Sequence, residues 1–173
     1  MRKMLAFVIL AASAMLVSAQ DKTGYQLPPE AIVSLLDAPQ TPSVILSSDN
    51  QTMLLLYRPG LPSIADLSQP ELRLAGIRFN PSTNGPSRVQ GMIRISSMKR
   101  DGTQLGDLKG LPSGASMGGV TWSPDNKRFA FTNTTDNTIE LWVADAATMT
   151  AQKVDEGLNC VLQRDITWLP DGS

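Results

Sequence analysis

The chain has 173 residues, 42% of them hydrophobic and 18% charged, with 15 Lys and Arg against 16 Asp and Glu for a formal net charge of -1. That length suffices for one domain with a real core, and the balanced charge supplies no basic field for a phosphate backbone, so nucleic acid is not an expected partner. The lack of any histidine excludes more: no Ser-His-Asp or Cys-His relay and no imidazole metal site can be built from these residues.

Met1-Arg2-Lys3 is a short cationic start, and Met4 to Val17 is an unbroken run of small and apolar residues. The run fits the apolar region of a signal peptide and is too short to cross a bilayer as a helix. Small side chains at Val17-Ser18-Ala19 predict cleavage after Ala19, so residues 1–19 read as a signal peptide and the remainder as an exported protein, periplasmic or extracellular, with no membrane role after cleavage. Residues 20–43 form an N-terminal segment. Within it Pro28-Pro29 open a short helix whose apolar stripe, Ile32, Val33, Leu35 and Leu36, is expected to pack on a sheet before Pro39 stops it. Cys160 stands alone in the sequence, so no intrachain disulfide forms, and a buried inert thiol is expected.

Downstream the chain repeats itself. Val120-Thr121-Trp122-Ser123-Pro124-Asp125-Asn126 returns 46 residues later as Ile166-Thr167-Trp168-Leu169-Pro170-Asp171-Gly172, and a weaker copy, Val44 to Asn50, stands 76 residues earlier. Ile93 to Ser97 aligns with Ile139 to Val143, again at 46. The first copy therefore carries 30 extra residues, roughly 58–88, which hold five of the twelve prolines and read as an inserted excursion.

Inside the best copy the apolar period is two, as in a strand. Val120 and Trp122 share a face, and Ser123-Pro124-Asp125-Asn126 has tight-turn chemistry. A strand from Arg128 to Asn133 follows, then a turn over 134–137. Ile139, Leu141 and Val143 next alternate with Glu140 and Trp142, and after a turn over 145–148 a last strand runs near 151–154. Four strands in a meander, repeated near every 46 residues, predict an all-β fold, an incomplete β-propeller of four-stranded antiparallel blades. The expected divisions are a first blade over 44–112, a second over 113–158 and the start of a third over 159–173, cut off within its first turn. A β-sandwich with a chance echo of the motif is the alternative.

From about Tyr25 onward the chain resembles the opening of peptidases of the prolyl oligopeptidase family, in the branch related to glutamyl endopeptidases. The matching stretches are Leu27-Pro28-Pro29-Glu30, Leu36-Asp37-Ala38-Pro39, Arg58 to Ile64, Gln69 to Gly76 and Asn80 to Arg88. The resemblance implies a gating propeller that covers a hydrolase domain carrying a Ser-Asp-His triad, with a peptide or protein substrate as partner. That domain and its triad match nothing here, so no catalytic residue carries over and this chain is expected not to be an enzyme. A stand-alone TolB-type propeller that binds another protein is the second reading.

Gly114-Ala115-Ser116-Met117-Gly118 has the form G-x-S-x-G, but Pro112 precedes it and strand-like Val120 follows, so it reads as a loop between blades. Arg73, Arg78 and Arg88 lie in the excursion. If it faces the substrate, a guanidinium there could pair with an acidic side chain. Asp101, Asp107, Asp136 and Asp145 lack the spacing of a calcium loop, and neither a metal nor another cofactor is expected.

Overall fold

The computed structural model describes residues 27–162 and 166–172. The chain divides into two units, Met1–Ala38 and Pro39–Ser173. The signal-peptide segment lies outside the described residues. Among the described residues of the first unit, Pro29 takes the N-cap position of a helix, α1 (Glu30–Leu36), which buries none of its residues. Ile32, Leu35 and Leu36 of its stripe are 47%, 74% and 76% exposed.

The second unit is built on strands. β1 (Ser43–Leu46), β2 (Thr52–Tyr57), β6 (Arg94–Lys99) and β7 (Gln104–Asp107) form one four-stranded antiparallel sheet in the order β1-β2-β6-β7. β8 (Met117–Trp122), β9 (Arg128–Thr134), β10 (Ile139–Asp145) and β11 (Thr150–Glu156) form a second sheet with the same meander order. The excursion leaves the first sheet between β2 and β6. It holds a short helix, α2 (Ile64–Ser68), and a three-stranded sheet of β3 (Leu72–Leu74), β4 (Ile77–Asn80) and β5 (Gly85–Pro86). The fold is all-β, and the two meanders are consistent with blades of a propeller that these sheets do not close.

The repeat is visible atom by atom at the first hairpin of each sheet. Ser47 Oγ donates to Asp49 Oδ1 at 2.6 Å, and Ser123 Oγ donates to Asp125 Oδ1 at 2.7 Å. The same hydroxyls accept from the backbone N–H of Thr52 and of Arg128, both at 3.0 Å. Asn50 and Asn126 close the two turns in the left-handed region, with φ of 56° and 58°, which Asn tolerates better than most residues. Both serines are buried, so the hydroxyl supplies what water cannot reach. Ser47→Ala and Ser123→Ala are each expected to lower stability by about 1–3 kcal/mol, by equal amounts within error, and because the two turns touch the loss in the double variant is expected to differ from the sum of the single losses. Urea titration of the three variants checks this, and unequal losses would mean the turns are not equivalent.

The main core lies between the two sheets. Leu54, Leu56 and Ile95 of the first meet Phe129, Phe131, Trp142 and Ala144 of the second, all buried. Trp122 meets Phe129 edge-on at 5.6 Å, and Phe131 stacks on Trp142 at 6.4 Å. Burying each of the large side chains contributes about 1.5–3 kcal/mol. Two backbone links stitch the sheets together. Met92 and Met117 exchange hydrogen bonds of 2.7 and 2.9 Å, and Lys109 bonds Met149 and Ala151, each at 2.8 Å. The turns also touch, since Ser48 N–H donates to Asn126 Oδ1 at 2.9 Å.

Strand β10 is covered on both faces, and Ile139 is buried at its start. Glu140, Trp142 and Ala144 are buried, and Leu141 and Val143 are half-buried on the opposite side. The third copy of the motif keeps its turn, with Gly172 N–H bonded to Leu169 O at 2.9 Å and Gly172 at φ 82°, but residues 166–169 form no strand.

Candidate functional site

The three arginines singled out in the sequence come together. Arg73 lies on β3 and Arg78 on β4, directly opposite each other in the ladder, and Arg88 follows β5. A two-residue turn, Ala75-Gly76, sets the β3–β4 register, with φ of 48° and 85°. Both angles are positive, as a turn matched to the strand twist requires. All three guanidinium groups converge on one carboxylate that sequence reasoning missed, that of Glu71. Glu71 Oε1 takes Arg73 Nε at 2.9 Å and Arg78 Nη1 at 3.6 Å, and Oε2 takes Arg88 Nε at 3.3 Å. Ser87 Oγ also donates to Oε2, at 2.7 Å. The Ser87 hydrogen bond, then that of Arg73, then the charges of Arg88 and Arg78 hold the Glu71 carboxyl below its ordinary value against the effect of burial. Only 7% of the Glu71 side chain is exposed, against 64%, 53% and 45% for Arg73, Arg78 and Arg88.

A second polar group lies inside the stacked sheets. Glu140 Oε2 accepts from Asn133 Nδ2 at 2.9 Å and from Trp142 Nε1 at 2.8 Å, and Lys153 Nζ stands 3.5 Å from Oε1. Burial pushes this carboxyl up, but the donors Asn133 and Trp142 together with the Lys153 ammonium outweigh it and leave the group ionised below its ordinary range. Asn133 Oδ1 in turn accepts the Ser116 N–H at 2.9 Å. Ser116 thus sits in a loop that leads into β8, not into a helix, and lacks the strand-turn-helix setting of a nucleophile elbow. Its neighbours position the backbone. Among the described residues no group of three or more His, Cys, Asp or Glu is placed to hold a metal ion.

The outer face of the second sheet borders a groove of ≈ 740 Å³ lined by Ala130, Leu141, Val143, Val154, Ile166 and Trp168. The third motif copy supplies part of its wall. Trp168 Nε1 donates to Thr121 O at 3.3 Å, the Arg128 guanidinium lies 5.4 Å from the Trp168 ring, and Arg128 also bonds the Gly172 carbonyl.

Two plant proteins match over most of this chain. It is 34% identical over 164 residues to the probable glutamyl endopeptidase, chloroplastic, of Arabidopsis thaliana, covering 87% of this chain. It is 39% identical over 133 residues to the protein of that name from Oryza sativa subsp. japonica, covering 70% of this chain. The likeness is to a peptidase. The chain spans 17% and 14% of the length of these two glutamyl endopeptidase-like relatives. No family model and no solved structure matches. The relatives overturn one expectation. Both are named chloroplastic, which points to a plastid and not to the periplasm or the extracellular space.

Proposed function

We propose that this chain forms the opening blades of a propeller in a glutamyl endopeptidase-like serine peptidase, and that it governs which peptides reach a catalytic centre supplied by other residues of the protein. The observation that carries this reading is the duplicated hairpin, with Ser47 and Ser123 making the same bonds in two stacked four-stranded sheets. The peptidase name of the relatives supports the setting. The groove on the outer face of the second sheet, partly walled by a third copy of the motif, supports a further blade packed there as the second packs on the first. A passive chemical role fits the lack of histidine and the loop setting of Ser116.

Two measurements test this. The purified chain, given a fluorogenic glutamyl peptide and a fluorophosphonate probe, is expected to show no turnover above the blank and no labelled serine; hydrolysis that the probe blocks would overturn the passive role. Grafting the chain in place of the matched segment of the Arabidopsis protein is expected to leave cleavage of short glutamyl peptides and exclusion of a folded protein both in place. A graft that still cuts short peptides but also degrades folded proteins would contradict the gating role.

A further inference from the structure

Three observations about the small sheet need a common explanation. Arg73 and Arg78 are direct cross-strand partners, an arrangement of like charges that is unfavourable unless something offsets it. Arg88 lies at φ 58°, a backbone conformation that side chains with a Cβ rarely adopt. The single carboxylate of Glu71 cancels only one of the three positive charges it gathers. Arg73 and Arg88 meet Glu71 through Nε, and among the described residues the terminal amino pairs of both, the fork that fits a carboxylate in two bonds, form no hydrogen bond.

We propose that Arg73, Arg78 and Arg88 form a binding site for a second carboxylate, the acidic side chain of a peptide, and that Glu71 is the positioning residue that holds the three guanidinium groups together. Glu71 and Ser87 fix the inner edge of the cluster, and the half-exposed outer edge carries the surplus charge. That the peptide is a peptidase substrate rests on the function proposed above; the binding itself does not.

The test titrates the full chain with a fluorescein-labelled peptide carrying one glutamate in a Gly-Ser background, and with its glutamine counterpart. The glutamate peptide is expected to bind about tenfold more tightly, with the preference shrinking at high salt. Arg73→Lys, Arg78→Lys and Arg88→Lys keep the charge but not the fork, and each is expected to remove most of that preference, whereas Arg58→Lys and Arg100→Lys leave it. Arginine modification by phenylglyoxal, mapped by mass spectrometry on the unaltered chain, covers the case of a variant that fails to fold: the glutamate peptide is expected to shield Arg73, Arg78 and Arg88 and not Arg58. Equal binding of the two peptides, full preference in the lysine variants, or no selective shielding would overturn the site. Inorganic phosphate that binds more tightly than the glutamate peptide would overturn its assignment to peptides. A graft that fails to gate while the peptide still binds removes the proposed function and leaves this site.

Discussion

Replacing Glu140 by alanine is expected to destabilise the chain by about 2–4 kcal/mol, a large share of the 5–15 kcal/mol typical of a folded domain. The loss comes from the partners left behind. Asn133 is 1% exposed and its amide would keep one bond, through Oδ1 to the Ser116 N–H, but lose the acceptor for Nδ2. The Trp142 indole N–H would be stranded beside it, at a residue only 8% exposed. Glu140→Gln retains an acceptor oxygen without the charge and is expected to lose less. The same group sets a pH dependence. Its folded-state value is depressed below the ordinary 4.5, so its contribution is complete above that value and disappears as the pH falls through the lower, folded value. Urea midpoints for the three proteins at pH 7 and pH 3 measure both effects. An alanine variant as stable as the parent at pH 7 would refute the network.

Gly91→Val is expected to cost about 3 kcal/mol, near the upper end for overpacking, and to separate the two sheets at their seam. A Cβ at Gly91 would stand 2.9 and 3.0 Å from the carbonyl carbon and Cα of Ser116, which are backbone atoms that cannot swing aside. The next residue, Met92, makes the paired bonds to Met117 that join the sheets. Gly60, with nothing within 4 Å of the same built atom, is the control, and Gly60→Val is expected to leave the melt nearly unchanged. Thermal unfolding followed by circular dichroism compares them. Equal melts for the Gly91 and Gly60 variants would show that the seam at Met92 and Met117 does not hold the molecule together.

What could be read from the sequence was set by local chemistry. Strand-turn-strand patterning around Ser123-Pro124-Asp125-Asn126 located β8 and β9, and the two spacings of the repeat placed an excursion between β2 and β6. The order inside that excursion was missed, although Ser63-Ile64-Ala65-Asp66 has the capping-box form and the box is made in full: Asp66 N–H donates to Ser63 Oγ, and Ser63 N–H donates to Asp66 Oδ2. The burial of Glu140 has a physical reason that alternation alone does not show. Period-two reasoning assumes one wet face, but β10 is covered on one face by the first sheet and partly covered on the other, so its polar residues had to find partners inside.

Of the candidate site, the three arginines were visible in the sequence and Glu71 was not. A glutamate between Pro70 and Leu72 looks like surface until β3 and β4 fold back and bring the guanidinium groups to it. The expectation of a periplasmic or extracellular location failed differently. An acid-free, cationic start with Ser13 and Ser18 does not discriminate an export signal from other targeting segments, and the names of the relatives decide against export.

Residue-resolved amide hydrogen exchange on the full chain tests the central claim, that two equivalent sheets are stacked and joined. The slowest amides are predicted to include Ser47 and Thr52, their counterparts Ser123 and Arg128 in the next copy of the hairpin, and Met92 and Met117 at the seam. Protection confined to one of the two hairpins, with Met92 and Met117 exchanging freely, would contradict it.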